Sequence, residues 1–160
     1  MLRLILIRHA KSAWDTPELD DFARSLAPRG RAEARWVGET MRREGWTPDL
    51  VLCSPAARTR ETLSLSGITA PVQFVQEIYD LMGADFVDLI RTKGGAVRSL
   101  ALVGHNNAMD TTALALCSGR MDFGGFPTGA VVVLDFAAAD WMALAEGTGQ
   151  LVAFCRPPRQ

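Results

Sequence analysis

Cysteine and histidine are scarce in this chain: among 160 residues there are three cysteines, Cys53, Cys117 and Cys155, and two histidines, His9 and His105. The cysteines are far apart, odd in number and form no C-x-x-C pair, which argues against a disulfide framework or a zinc ribbon. A reducing cytoplasm is the simplest home for such a chain, with each thiol in an apolar neighbourhood and expected in the core. No run approaches the ~18 apolar residues of a membrane span. The N-terminal apolar stretch of four residues, Leu4 to Ile7, is shorter than a signal-peptide core of ~7–15, so folding is expected to begin at residue 2. An excess of either charge is missing too. Seventeen Lys+Arg against eighteen Asp+Glu leave a net charge of -1. That excludes a broad basic face for nucleic acid or anionic membrane, though not a small basic site.

What is present is ordinary globular material, 48% hydrophobic and 22% charged, in a length that suits one domain. Residues 4–7 form a short continuous apolar run, as in a strand buried on both faces. A polar loop is expected over 8–27. Pro28 suits a first helical turn, and Ala34, Val37 and Met41 keep helical spacing until Gly45. Residues 50–53 give a second strand. Ser54-Pro55 has the form of an N-cap followed by proline at the first helical position, opening a helix to about residue 65 that stops at Gly67. Further strands are expected at 72–75 (a weaker one), 100–103, 130–136 and 151–154. Further helices are expected around Phe86, Leu89 and Ile90, ending at Gly94-Gly95, and over 107–117. This alternation implies one α/β domain over 1–160, a mostly parallel sheet with helices on both faces.

Both histidines directly follow runs assigned as strands. Ligands of open α/β sheets collect outside the carboxyl ends of the strands, so His9 and His105 are expected at one edge. Either alone reads equally well as a hydrogen-bonded structural histidine. Arg8 adjoins His9, and Arg58 is expected in the first turns of the helix after the second strand. Arginine near a helix start adds a bidentate donor to free backbone N–H groups, a combination suited to phosphate. Asn106 and Asn107 open a second helix at the same edge.

These residues resemble a known family. Leu6-Ile7-Arg8-His9-Ala10 is similar to the R-H-G/A motif of the histidine phosphatase superfamily, the phosphoglycerate-mutase-like proteins. Ser54-Pro55-Ala56-Ala57-Arg58-Thr59-Arg60-Glu61-Thr62 resembles its S-P-x-x-R-x-x-x-T segment, and Val103-Gly104-His105-Asn106 its V-G-H-N motif. Arg24-Ser25-Leu26 with Gly30, Phe126-Pro127-Thr128-Gly129-Ala130 and Arg156-Pro157 extend the resemblance over nearly the whole chain. The short length without a cap insertion is similar to the SixA-type phosphohistidine phosphatases. The resemblance implies a phosphoglycerate-mutase-like fold and a hydrolase in which His9 is a transiently phosphorylated nucleophile. It implies that Arg8, Arg58 and His105 hold the phosphoryl oxygens, with Arg24 as a further phosphate contact. A neutral imidazole suits the nucleophile's role, and neighbouring guanidinium groups disfavour its protonation. No metal or other cofactor is called for.

The chain also departs from the pattern. Ala27 stands where Thr or Ser often caps the first helix, a loss of ~1 kcal/mol partly offset by Pro28. Glu61 stands where Gln is common, one helical turn from Arg58. The proton donor that many members place after the third strand has only Glu77, Asp80 and Asp85 as candidates, and each also reads as a surface or capping residue. General acid catalysis supplies ~10²–10⁴-fold and matters most for an alkoxide leaving group. A site without an obvious acid therefore points to phosphohistidine or another activated phosphoryl donor, with protein phosphohistidine as the leading substrate. The alternatives are a broad small-molecule phosphomonoesterase with one of those carboxyls as acid, or a non-catalytic module binding phosphate or a phosphoprotein. Trp14, Phe123 and Phe126 are candidates for the crevice rim, though such aromatics equally suit the core.

Overall fold

The apolar runs at 4–7, 50–53 and 100–103 become three neighbouring parallel strands, and everything at the site follows from where they end. The computed structural model describes residues 1–159. Its elements run β1 (Leu2–Arg8), α1 (Pro28–Glu44), β2 (Leu50–Cys53), α2 (Ala57–Ser66), β3 (Val72–Phe74), α3 (Gln76–Asp80), α4 (Val87–Lys93), β4 (Ser99–Gly104), α5 (Ala108–Leu116), β5 (Val131–Phe136) and β6 (Gln150–Cys155). They build one α/β domain around a six-stranded sheet of order β3-β2-β4-β1-β5-β6. β3, β2, β4 and β1 are parallel, β5 is antiparallel to β1, and β6 is antiparallel to β5. Only β5 therefore runs against the rest.

Side chains of successive strand residues point to opposite faces, and both faces here are covered. Leu4, Leu6, Leu52, Leu100 and Leu102 pack with Ile78, Ile90, Met109 and Leu116 from α3, α4 and α5. Ile5, Ile7, Val51, Ala101 and Val103 pack with Val37 and Met41 of α1 and Leu63 of α2. α1 and α2 touch each other across Gly38, where a Cβ would lie 1.7 Å from the Ser66 carbonyl oxygen. Gly30 allows a similar approach of α1 to the Lys11 backbone.

α1 starts at Pro28 behind Ala27, which makes no side-chain cap, and ends at Gly45 in a left-handed conformation; α2 ends likewise at Gly67. The expected N-cap at Ser54 is displaced: α2 begins at Ala57, behind Ala56. Three short helical pieces lie where none was expected, one of them the 3-10 turn Trp141–Ala143 between β5 and β6. The five-residue α3 follows β3, and a one-turn 3-10 helix, Asp21–Ala23, interrupts the loop after β1. Phe123 and Phe126 are buried in the core, whereas Trp14 is 71% exposed. Cys53 and Cys117 are buried, but Cys155 on the last strand is only partly so. No helix among the described residues is long and apolar enough to cross a membrane.

Candidate active site

β2, β4 and β1 are adjacent and in register, so their exits deliver Ser54, His105 and His9 side by side. Arg8 pairs with Gly104 across the β1–β4 ladder, and Cys53 pairs with Val103 across β2–β4. The ladder continues one step further. His9 N–H donates to the Gly104 carbonyl at 3.0 Å and Ser54 N–H to the Val103 carbonyl at 3.0 Å. The His9 and His105 rings consequently face one another, centroids 5.2 Å apart. Both are nearly buried.

Around them lies a cleft of about 400 Å³ lined by Arg8, Lys11, Ser12, Trp14, Asp21, Arg24, Arg58, Met82, Asn106 and Thr128 as well as the two histidines. A larger groove of about 810 Å³ runs along α2 past Phe22, Pro55, Leu63 and Phe74 and contains neither histidine. Of the residues expected at the site, His9, His105, Arg8, Arg58 and Arg24 are brought together. Glu77, Asp80 and Asp85 are not: all three are exposed and outside the cleft lining. Asp80 accepts from the Gln76 amide, and Asp85 caps the Val87 N–H.

His9 Nδ1 lies 2.7 Å from the Ala10 carbonyl oxygen. A carbonyl can only accept, so Nδ1 carries the proton and the lone pair of the neutral ring is on Nε2. Burial, followed by the charges of His105, Arg58 and Arg8, holds the His9 pKa well below the ordinary 6.5, against the opposing bond to Ala10. Burial lowers His105 to about 3, with Arg58, Arg8 and Arg24 pushing the same way and Asp21 opposing. His105 Nε2 is 2.8 Å from Ser54 Oγ, and its Nδ1 has no partner among the described residues. Ser54 thus serves the histidine rather than the helix start, although Oγ also accepts from the Ala56 N–H at 3.2 Å.

Each arginine is tethered by its terminal nitrogens. Arg8 donates to the Phe126 carbonyl at 3.0 Å. Phe126 sits at φ 59, a strained value for a bulky residue, worth about 1–3 kcal/mol, and its buried ring fixes it there. Arg58 donates to both the backbone carbonyl and the carboxylate of Asp21, at 2.9 and 3.2 Å. Arg24 donates to Asp21 at 3.0 Å and to Ser12 Oγ, and its guanidinium lies 3.7 Å over the Trp14 ring. Yet the Nε–H of Arg8, Arg24 and Arg58 is buried in every case without an acceptor among the described residues. Three guanidinium side chains lining one cleft, beside an unprotonated imidazole nitrogen, suit an oxyanion with several acceptor oxygens. No trio of His, Cys, Asp or Glu side chains among the described residues is arranged to hold a metal ion.

Sequence reasoning missed Asp21. Its carboxylate joins Arg24, Arg58 and the Tyr79 hydroxyl, the last at 2.8 Å. These partners outweigh partial burial and bring its pKa down to about 2. Tyr79, from the unforeseen α3, also sets its ring edge-on to His105 at 5.6 Å. Thr62 links two site segments: Oγ1 accepts from the Ala10 N–H and donates to the Arg58 carbonyl. Glu61 turns its carboxylate to the Leu26 N–H, steadying the loop ahead of α1.

Residues 4–89, more than half of the chain, match the family described as the histidine phosphatase superfamily, branch 1. The chain belongs to that superfamily. An uncharacterized protein of Mycobacterium tuberculosis is 34% identical over 159 residues, covering 94% of this chain and 99% of the relative. A SixA-type protein from Agrobacterium tumefaciens superposes with a TM-score of 0.81 at 30% identity, covering 98% and 99% of the two chains. Another from Nakamurella multipartitia gives 0.84 at 26%, covering 98% and 96%. The fold of this superfamily member is thus SixA-like and phosphoglycerate-mutase-like along its whole length, and its enzyme class is phosphatase.

Proposed function

We propose that this superfamily member removes the phosphoryl group from phosphohistidine on proteins, through a covalent intermediate on His9. The observation that carries the reading is the pairing of a neutral His9, lone pair on Nε2, with the guanidinium side chains of Arg8, Arg24 and Arg58 lining the same cleft. Nε2 attacks phosphorus in line as the bond to the substrate imidazole breaks. The leaving nitrogen takes its proton from water, and a second water then hydrolyses phospho-His9 to phosphate. Arg8, Arg58 and His105 hold the equatorial oxygens, with Arg24 beside them, so catalysis is positioning plus charge stabilisation. The substrate choice rests on the acid. Asp21 is the carboxyl in the cleft lining, and at a pKa of about 2 it carries no proton to give near neutrality. An alkoxide leaving group would forgo the ~10²–10⁴-fold of general acid catalysis, whereas imidazole leaves more readily. A candidate phosphohistidine phosphatase among the structural relatives agrees with this choice. The three unpaired thiols fit a reducing cytoplasm.

The test compares the wild type with His9→Ala on a phosphohistidine protein, a phosphoserine protein and an aryl phosphate. Phosphate release from phosphohistidine, with acid-labile label on the wild-type enzyme and none on the variant, is expected. Wild-type rates in His9→Ala would remove the nucleophile assignment. Turnover of the aryl ester alone would make the protein a small-molecule phosphomonoesterase, and binding without release would make it a phosphate-binding module.

A further inference from the structure

A second groove, also about 400 Å³, adjoins the catalytic cleft and shares Thr128 with it. Its cations are Arg29, Arg156 and Arg159, all exposed. One carboxylate, Glu33, lines it, and that carboxylate is already engaged. Glu33 is 7% exposed at the side chain; Oε1 accepts from the Lys11 N–H at 2.8 Å and from Thr128 Oγ1 at 3.3 Å, and Oε2 is 3.6 Å from Arg29 Nε. Arg156 has no carboxylate within ion-pair distance among the described residues; it lies over the Phe154 ring, 5.6 Å from its centroid. In a chain of net charge -1, the arginines here are concentrated beside a site already ringed by Arg8, Arg24 and Arg58. Loop residues 124–129 form the wall between the two. Gly124 and Pro127 face the groove, the Phe126 carbonyl holds Arg8, and Thr128 lines both sides.

We propose that this arginine groove binds acidic side chains flanking the phosphorylated residue of a polypeptide substrate, making it a specificity subsite. The inference rests on the phosphohistidine reading above and specifies which phosphohistidine segments the enzyme selects. A carboxylate-bearing segment leaving the cleft over Thr128 enters a groove where exposed guanidinium groups are available and the resident carboxylate is turned inward. Exposed charges of this kind act mainly on encounter and register, and their effect is screened by salt.

Two phosphohistidine peptides decide it, identical except for glutamates or alanines on both sides of the phosphohistidine, with an aryl phosphate as control. The wild type is expected to turn over the acidic peptide with kcat/KM about tenfold higher at low salt, and to lose that preference near ~0.5 M salt. In the Arg29→Gln/Arg156→Gln variant the preference should vanish, while rates on the alanine peptide and the aryl ester stay at wild-type values. Equal rates for the two peptides on the wild type, or a preference that survives the double substitution, overturns the subsite. If neither peptide is hydrolysed while the ester is, the phosphohistidine reading fails separately. The groove is then read from inhibition of ester hydrolysis by the unphosphorylated peptides. Stronger inhibition by the acidic one, abolished in the double variant, supports it, and equal inhibition overturns it.

Discussion

A histidine surrounded by guanidinium groups and cut off from water has two reasons to stay neutral, and at His9 and His105 they act together. Burial is the larger cause at both residues, and the arginine charges add to it. Because the chain has only these two histidines, its imidazole signals are free of overlap. Proton NMR between about pH 8 and pH 5 should show neither ring titrating in the folded protein, where an unperturbed histidine passes its midpoint near ~6.5. A midpoint near that value for His9 would mean that the proposed nucleophile is mostly protonated, with no free lone pair, at every pH below it. Asp21 works in the other direction, lending negative charge to a cleft proposed to hold a phosphoryl group. Its use is positional: it fixes Arg24 and Arg58 through separate oxygens. Asp21→Asn should lower kcat by roughly tenfold as the arginines lose their orientation, while KM holds or falls because the cleft has gained positive potential. A rise in KM at constant kcat would mean that Asp21 serves substrate binding instead.

Among the elements, the decisive relation is the register of β2, β4 and β1, which turns three separate chain positions into one row. That row was legible in the sequence, because a short apolar run followed at once by His9 or His105 marks a strand exit without any tertiary information. Arg58 was legible from the helix-start pattern, even though Ser54 proved to be a partner of His105 rather than the cap. Asp21 and Tyr79 were not. The first lies in a polar loop without periodicity, and the second on a helix of five residues, too short to establish a 3.6-residue repeat. Their contact joins positions 58 residues apart and has no local signature. The contact of α1 with α2 also supports the site, since α2 carries Arg58 and Thr62. Gly38→Ala puts a methyl group into the Ser66 carbonyl and should destabilise the fold by about 1–3 kcal/mol, seen as a lower urea midpoint. An unchanged midpoint would mean that the helices separate without cost.

For the whole molecule, the shifted groups set the pH range over which the fold is stable. Unfolded histidines take up protons near 6.5, while His105 resists until about 3 and His9 until well below its ordinary value. Below 6.5 the unfolded chain therefore binds more protons than the folded one, and stability falls with falling pH, by up to about 1.4 kcal/mol per pH unit for each histidine. Asp21 extends the loss. Its folded pKa of about 2 lies under the usual 3.8, so the stability it lends above 3.8 disappears between those values. On the alkaline side Cys53, pushed up to about 12 by burial, keeps its proton where an unfolded thiol loses it above 9.0, so stability also falls as pH rises past that point. Urea unfolding should then show a plateau between about pH 6.5 and 9 with a decline on either side. Replacing both histidines by asparagine should flatten the acid limb down to about pH 3.8, where the Asp21 contribution begins, without altering the alkaline limb, and Cys53→Ala should make the alkaline limb shallower without altering the acid one. An acid limb that keeps its slope in the histidine variant would assign the acid sensitivity to carboxylates elsewhere in the protein, and the two buried imidazoles would not be its source.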